Sequence, residues 1–130
     1  MTVDRGLLDT SVFIARESGR PAELASLPGE LAVSIVTIGE LWAGVLAAQD
    51  TSTRALRLRT ASDAGSLATV QIGVEVARAW AQLRVELREA GRRMKVNDSW
   101  IAATAIALNV PVVTQDGDFA DVPGLRVIRI

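Results

Sequence analysis

Short apolar runs rich in β-branched residues alternate along this chain with longer stretches of helical periodicity, and that alternation constrains the fold most. Strand-length runs lie at Gly6 to Leu8, Leu31 to Ile35, Leu67 to Gln71, Pro111 to Thr114 and Leu125 to Ile130. The segments between them are long enough to be crossover helices, which is the pattern of βα units on a parallel sheet. The predicted class is α/β, a central parallel β-sheet flanked by α-helices. Helices are expected over Ser11 to Arg16, Ile38 to Ala48, Thr51 to Ser62, Val74 to Ala90 and Asp98 to Leu108. In the clearest of these, Val76, Trp80, Leu83 and Leu87 recur at spacings of four and three and predict one buried stripe, which Gly91 ends. With 130 residues and no repeat, linker or low-complexity segment, residues 1–130 are expected to form one domain. Aromatic residues are only 4% of the chain, so the core must be built from aliphatic side chains.

The residue types that are missing narrow the chemistry. The chain has no His, no Cys and no Tyr. A Ser-His-Asp triad, a Cys-His pair and a zinc site of thiolates or imidazoles are therefore excluded as self-contained sites, and so are disulfides. Lys95 is the only lysine, so a Ser-Lys dyad or a Schiff base has one candidate. Catalysis, if present, rests on carboxylates, hydroxyls, Arg and bound metal. The N-terminal MTVDRGLLDT carries charges and no secretory apolar run, and no segment approaches the roughly 18 apolar residues of a membrane span, so the expected location is cytoplasmic. A net charge of −1 does not advertise nucleic-acid binding, which would have to come from local patches.

Four acids sit in conspicuously apolar surroundings. Asp9 follows Gly6-Leu7-Leu8 at the expected carboxyl end of the first strand, where α/β sheets bind ligands. Asp116 holds the same position after Val112-Val113-Thr114. Glu40 is the only charged residue between Leu31 and Gln49, and Asp98 the only one between Lys95 and Asp116. Each acid also has a structural explanation. Asp9 can cap the next helix, Glu40 can form a capping box with Thr37, Asn97-Asp98 can start a helix, and Asp116-Gly117 is ordinary turn chemistry. As a set, however, two acids at strand ends and two near helix starts can converge on one edge of a parallel sheet. Unneutralised they would repel one another. Oxygen donors without His or Cys suit a hard cation, Mg²⁺ or Mn²⁺.

Four strings, in order along the chain, resemble the PIN domain, and within it the VapC toxins of toxin–antitoxin pairs. They are Leu8-Asp9-Thr10-Ser11-Val12, Thr37-Ile38-Gly39-Glu40-Leu41 with Gly44, Asn97-Asp98-Ser99-Trp100-Ile101-Ala102-Ala103, and Thr114-Gln115-Asp116-Gly117-Asp118-Phe119. The resemblance implies a PIN-like α/β fold and a Mg²⁺-dependent endoribonuclease with Asp9, Glu40, Asp98 and Asp116 in the family's acidic positions. Asp118 matches a further acidic position, either Asp116 or Asp118 being the direct metal ligand, and Thr114 matches a supporting hydroxyl. Metal-assisted attack of water on the phosphodiester is the implied mechanism. It also implies a homodimer and a cognate VapB antitoxin that inserts a segment over the active-site groove.

An RNA substrate requires cations beside the acids. On the Val74 to Ala90 helix, Arg84 and Arg88 fall on one flank of the Trp80 stripe and Glu75, Glu86 and Glu89 on the other; Arg92, Arg93 and Lys95 then lead into Asp98. These five cations are candidate RNA contacts, or else a solvated helix end with favourable dipole pairing. Thr51 to Ala64, with Arg54, Arg57 and Arg59, is a candidate antitoxin-facing helix or simply an exposed one. The competing functions are a catalytically inactive interaction module of the same fold and a Mg²⁺-dependent phosphoaspartyl phosphatase. The second usually has another acid two residues after the nucleophile, where this chain has Ser11.

Overall fold

A computed structural model describes residues 4–22 and 27–130. Five strands form one sheet: β1 (Arg5–Leu8), β2 (Glu30–Ser34), β3 (Ala68–Val70), β4 (Val112–Thr114) and β5 (Val127–Arg129). Their order is β3-β2-β1-β4-β5, and every neighbouring pair is parallel. Leu8 stands beside Val33 on one side and Val113 on the other, so the strands run in step towards one common edge. The apolar runs are continuous rather than alternating because the central strands are covered on both faces. Leu7 and Val112 face one core with Leu83, Ile101 and Phe119. Leu8, Val33 and Val113 face the other, with Phe13 and Leu41.

The helices are α1 (Thr10–Glu17), α2 (Ile35–Ala47), α3 (Thr51–Gly65), α4 (Val74–Glu89) and α5 (Val96–Leu108). The first three supply the second core and the last two the first. All five expected strands and helices are present, but two boundaries differ in ways that matter. Ile35 ends no strand; it opens α2, because the Ser34 hydroxyl accepts from the Val36 amide at 3.0 Å and caps the helix there. The expected capping box is therefore absent: Thr37 is fully buried inside the first turn, and Glu40 lies in the second turn, directed at other elements. Helix α5 likewise begins at Val96, so Asn97 and Asp98 are both inside its first turn, and Lys95 precedes it without a side-chain cap. Trp80 is half-buried rather than a core residue. Its ring stacks on Trp100 at 4.3 Å between centroids, while Val76, Leu83 and Leu87 form the buried stripe.

Gly91 takes the left-handed conformation that ends α4, at φ 67°. The Arg92 amide reaches back to the Leu87 carbonyl at 2.9 Å and the Gly91 amide to Arg88 at 3.1 Å, a paired closure that satisfies the last free carbonyls of the helix. That turn directs Arg92 towards the segment after β4. Its guanidinium donates to the carbonyls of Asp118, at 2.8 Å, and Ala120. Phe119, fully buried, pins the same segment from beneath.

Candidate active site

The site lies at the carboxyl edge of the sheet between β1 and β4. There the strand order reverses, with β2 and β3 on one side of β1 and β4 and β5 on the other. Adjacent crossovers diverge at such a point and leave a crevice outside the strand ends. Asp9 leaves β1 in extended conformation and caps α1 by accepting from the Ser11 amide at 3.3 Å. Its cap role and its place at the sheet edge are thus compatible. Only 2% of the residue is exposed. The Thr114 hydroxyl, at the end of β4, donates to Asp9 Oδ2 at 3.0 Å. Since a hydroxyl has one proton, Thr114 can only accept from its other neighbours. The Asp116 amide donates to it at 3.0 Å, and the Ser11 hydroxyl, 3.2 Å away, must donate as well. Ser11 Oγ in turn accepts from the Gln115 amide at 3.0 Å. A directed chain of hydrogen bonds therefore runs Gln115, Ser11, Thr114, Asp9, and its polarity favours an ionised Asp9.

Glu40 reaches the same crevice from α2. Its Oε1 accepts from Thr10 Oγ1 at 2.7 Å, and Thr10 Oγ1 also lies 3.0 Å from Thr37 Oγ1. The second oxygen, Oε2, faces the Asn97 amide at 3.4 Å. One carboxylate thus bridges α1, α2 and the start of α5. Asp98 projects from the first turn of α5, one residue from Ser99, whose hydroxyl holds the Trp80 indole at 3.0 Å.

Electrostatics tie these acids together. Burial, then the charges of Asp9, Asp118 and Glu40, push Asp98 from 3.8 up to about 6, against the pull of Lys95. Asp9 is also raised, chiefly by burial, with the Ser11 and Thr114 hydrogen bonds opposing. Among the described residues the one ion pair is Arg5–Glu30, so no cation neutralises any of the cluster acids at close range. Asp116 is half-buried and joined to the cluster through its amide and Thr114, whereas Asp118 is exposed on the far side of Gly117 and acts on Asp98 through its charge.

Among the described residues, no three acid side chains converge as a ready set of direct ligands. The donor chemistry nonetheless fits a hard cation: oxygen atoms only, mutually repelling, and two of them with raised proton affinity. Mg²⁺ keeps much of its water and takes one or two carboxylates directly, so an open acidic crevice suits it better than a closed cage.

The basic candidates divide. Lys95 acts on Asp98 through its charge, without an ion-pair contact. Arg84 sits over the Trp80 ring at 5.2 Å, and Arg84, Arg88, Arg92 and Arg93 surround a cavity of about 470 Å³ beside α4. Arg92, however, has donors committed to the Asp118 and Ala120 carbonyls, which makes it a tether for the acidic turn. A groove of about 350 Å³ runs from Glu40 past Ile14, Gly44 and Arg57. There Arg57 and Arg54 donate to the Gly44 and Ala48 carbonyls and bind α3 to α2. A larger cavity of about 850 Å³, lined mainly by apolar residues such as Val12, Phe13 and Leu31, contains none of the cluster acids. Thr10, Ser11 and Asn97 were not legible as site residues one by one. The signal was their adjacency to Asp9 and Asp98.

Fold and site together define a class: parallel α/β proteins with an oxygen-only acidic crevice at the topological switch point. The chain belongs to the PIN domain family, which it matches over residues 6–125. It is 48% identical over 125 residues to "Ribonuclease VapC5" of Mycobacterium tuberculosis, covering 96% of this chain and 93% of that protein. It is 46% identical to "Ribonuclease VapC4" of the same organism over 132 residues, all of both chains. Among solved structures, VapBC-5 from M. tuberculosis, described as a member of the VapBC family of toxin–antitoxin systems, superposes with a TM-score of 0.89 at 43% identity, over 97% of this chain and 98% of that one.

Proposed function

We propose that this chain is a Mg²⁺-dependent endoribonuclease, with Mn²⁺ able to substitute, and the toxin of a VapBC-type toxin–antitoxin module, acting as one domain. The observation that carries the reading is the acidic crevice without a close ion pair among the described residues, in which burial and then the charges of Asp9, Asp118 and Glu40 raise the proton affinity of Asp98. Ribonucleases of this family are generally metal-dependent. Asp9, Glu40 and Asp98 would hold the cation, one or two of them directly and the others through its waters, with a further donor from Asp116 or Asp118. When bound, the ion supplies Lewis-acid activation of a water and offsets charge on the phosphate.

The remaining work belongs to the chain itself. Thr114 and Ser11 orient Asp9, and their hydrogen bonds oppose the rise in its proton affinity that burial causes. Thr10 and Asn97 fix Glu40. Lys95 with Arg84, Arg88 and Arg93 draws the RNA backbone to the crevice by charge, and Arg92 keeps the turn that carries Asp116 and Asp118 in place. Hydrolysis by water suits a chain with no His to deprotonate a ribose hydroxyl. A cognate VapB antitoxin covers the groove that leads from Glu40 to Arg57, the toxin assembles as a homodimer, and it acts in the cytoplasm. Among the described residues no helix is long and apolar enough to cross a membrane.

Incubation of the purified chain with total cellular RNA, in Mg²⁺ and in EDTA, tests the activity. Cleavage with Mg²⁺ alone is expected, and Asp98→Asn should abolish it. Absence of cleavage with any divalent metal would refute the enzyme, leaving the same fold as an inactive interaction module.

A further inference from the structure

Two arginines reach the turn that carries Asp116 and Asp118, and they differ in what they are bonded to. Arg92 approaches from the end of α4 and gives its donors to the Asp118 and Ala120 carbonyls. Arg129 reaches the turn from β5, the edge strand of the sheet. Parallel register sets it beside Thr114, the residue that holds Asp9. Along β5, Ile128 turns into the core shared with Leu8 and Val113, so its neighbour Arg129 projects to the other face of the sheet. A guanidinium nitrogen of Arg129 comes within 3.6 Å of where a side chain at Gly117 would begin, directly against the acidic turn. It is exposed, and among the described residues it is not in an ion pair with any carboxylate. Five fixed donors stand at the rim of the crevice with no hydrogen bond to protein among the described residues.

We infer that Arg129 is a substrate-binding residue of the crevice, its guanidinium gripping a phosphate of the RNA backbone at the β5 side of the acids. This rests on the ribonuclease reading and adds a contact from the edge strand β5 to those of the α4–α5 cations. RNA then meets two cationic supports at the acidic crevice, Lys95 with its neighbouring arginines and, from β5, Arg129. A planar fork suits a phosphate better than a point charge does, because two parallel bonds fix its orientation. Gly117 leaves room for that approach, since nothing but the guanidinium lies within 4 Å of a side chain there.

The test is fluorescence anisotropy of a labelled single-stranded RNA with the full chain at several salt concentrations, comparing wild type, Arg129→Gln, Arg129→Lys and Arg5→Gln. Arg5 is an exposed arginine at the opposite end of β1, paired with Glu30, and serves as the control. Arg129→Gln should weaken binding about tenfold and reduce the slope of log K against log salt by about 0.7, the value for one phosphate contact on a single strand. Arg129→Lys should restore the slope but only part of the affinity, and Arg5→Gln should change neither. If Arg129→Gln behaves like Arg5→Gln while the wild type cleaves total RNA in Mg²⁺, Arg129 is not a phosphate contact and the ribonuclease reading survives. If Arg129→Gln lowers the melting temperature and leaves the salt slope unchanged, its role is structural and the inference also fails. A wild type that neither binds nor cleaves RNA overturns both.

Discussion

Replacing Asp98 with Asn should abolish activity and stabilise the fold, and the size of the stabilisation follows from the crevice. A carboxyl whose proton affinity rises from 3.8 to about 6 on folding destabilises the native state by roughly 3 kcal/mol when ionised. Asp98 is half-buried, so solvent screening reduces that to about 1–2 kcal/mol. Asp98 also lies in the first turn of α5, where a negative charge complements the helix dipole by about 0.5 kcal/mol, and Asn forfeits this. The net gain for Asp98→Asn is about 1 kcal/mol, or roughly 3–5 °C in melting temperature for a chain of this length. The folded proton affinity lies above the unfolded one, so the stability gained by protonation is complete below about pH 4 and lost as pH rises through about 6. The advantage of Asn over Asp should therefore be full at pH 7.5 in EDTA and vanish by pH 4. Urea denaturation at the two pH values measures it. Mg²⁺ should reverse the order at pH 7.5 by stabilising the wild type alone, since a ligand that binds only the native state adds to its stability. A variant less stable than wild type at pH 7.5 in EDTA, or an advantage that persists at pH 4, would refute the electrostatic account.

Thr114→Val should cost about 2 kcal/mol and most of the activity, because it removes the donor to Asp9, leaves the Ser11 hydroxyl proton without an acceptor and leaves the Asp116 amide unpartnered; Thr114→Ser should retain both, as denaturation and RNA cleavage will report. Activity at sub-saturating Mg²⁺ should rise with pH through about 6 as Asp98 ionises, and the midpoint should fall at saturating metal, which a pH–rate series at two metal concentrations checks. Gly6→Ala should destabilise by about 1–3 kcal/mol, since its new methyl would meet Pro28 Cγ at 2.8 Å and Val113 Cγ2 at 2.9 Å; an unchanged melting temperature would contradict that packing. Arg92→Ala should lower stability and activity together, through release of the acidic turn, whereas Arg93→Ala should weaken RNA binding with stability unchanged; denaturation alongside binding separates the two.

Much of this protein can be read without coordinates. Alternating β-branched runs and helical stripes specify a parallel α/β sheet, because strands covered on both faces must be apolar throughout and parallel neighbours need crossovers. The absence of His and Cys confines the chemistry to oxygen donors, and the isolation of Glu40 and Asp98 in apolar segments marks them as residues with a purpose beyond solubility. Boundaries were less legible where two local chemistries competed. Thr37 and Glu40 spell a capping box, yet Ser34 captured the helix start one turn earlier, which buried Thr37 and left Glu40 free to cross to Thr10 and Asn97. Only the tertiary structure decided which residues meet. The raised proton affinity of Asp98 depends on its burial and on charges 89, 58 and 20 positions away in the chain, at Asp9, Glu40 and Asp118, brought near by the sheet. The roles of the arginines were decided there too, for nothing in a run of Arg92-Arg93 says that the first will be bound to the Asp118 carbonyl. Sequence determines what each segment can be, through local propensity and burial; distances between segments, and hence the electrostatics of a shared crevice, exist only once the chain has folded.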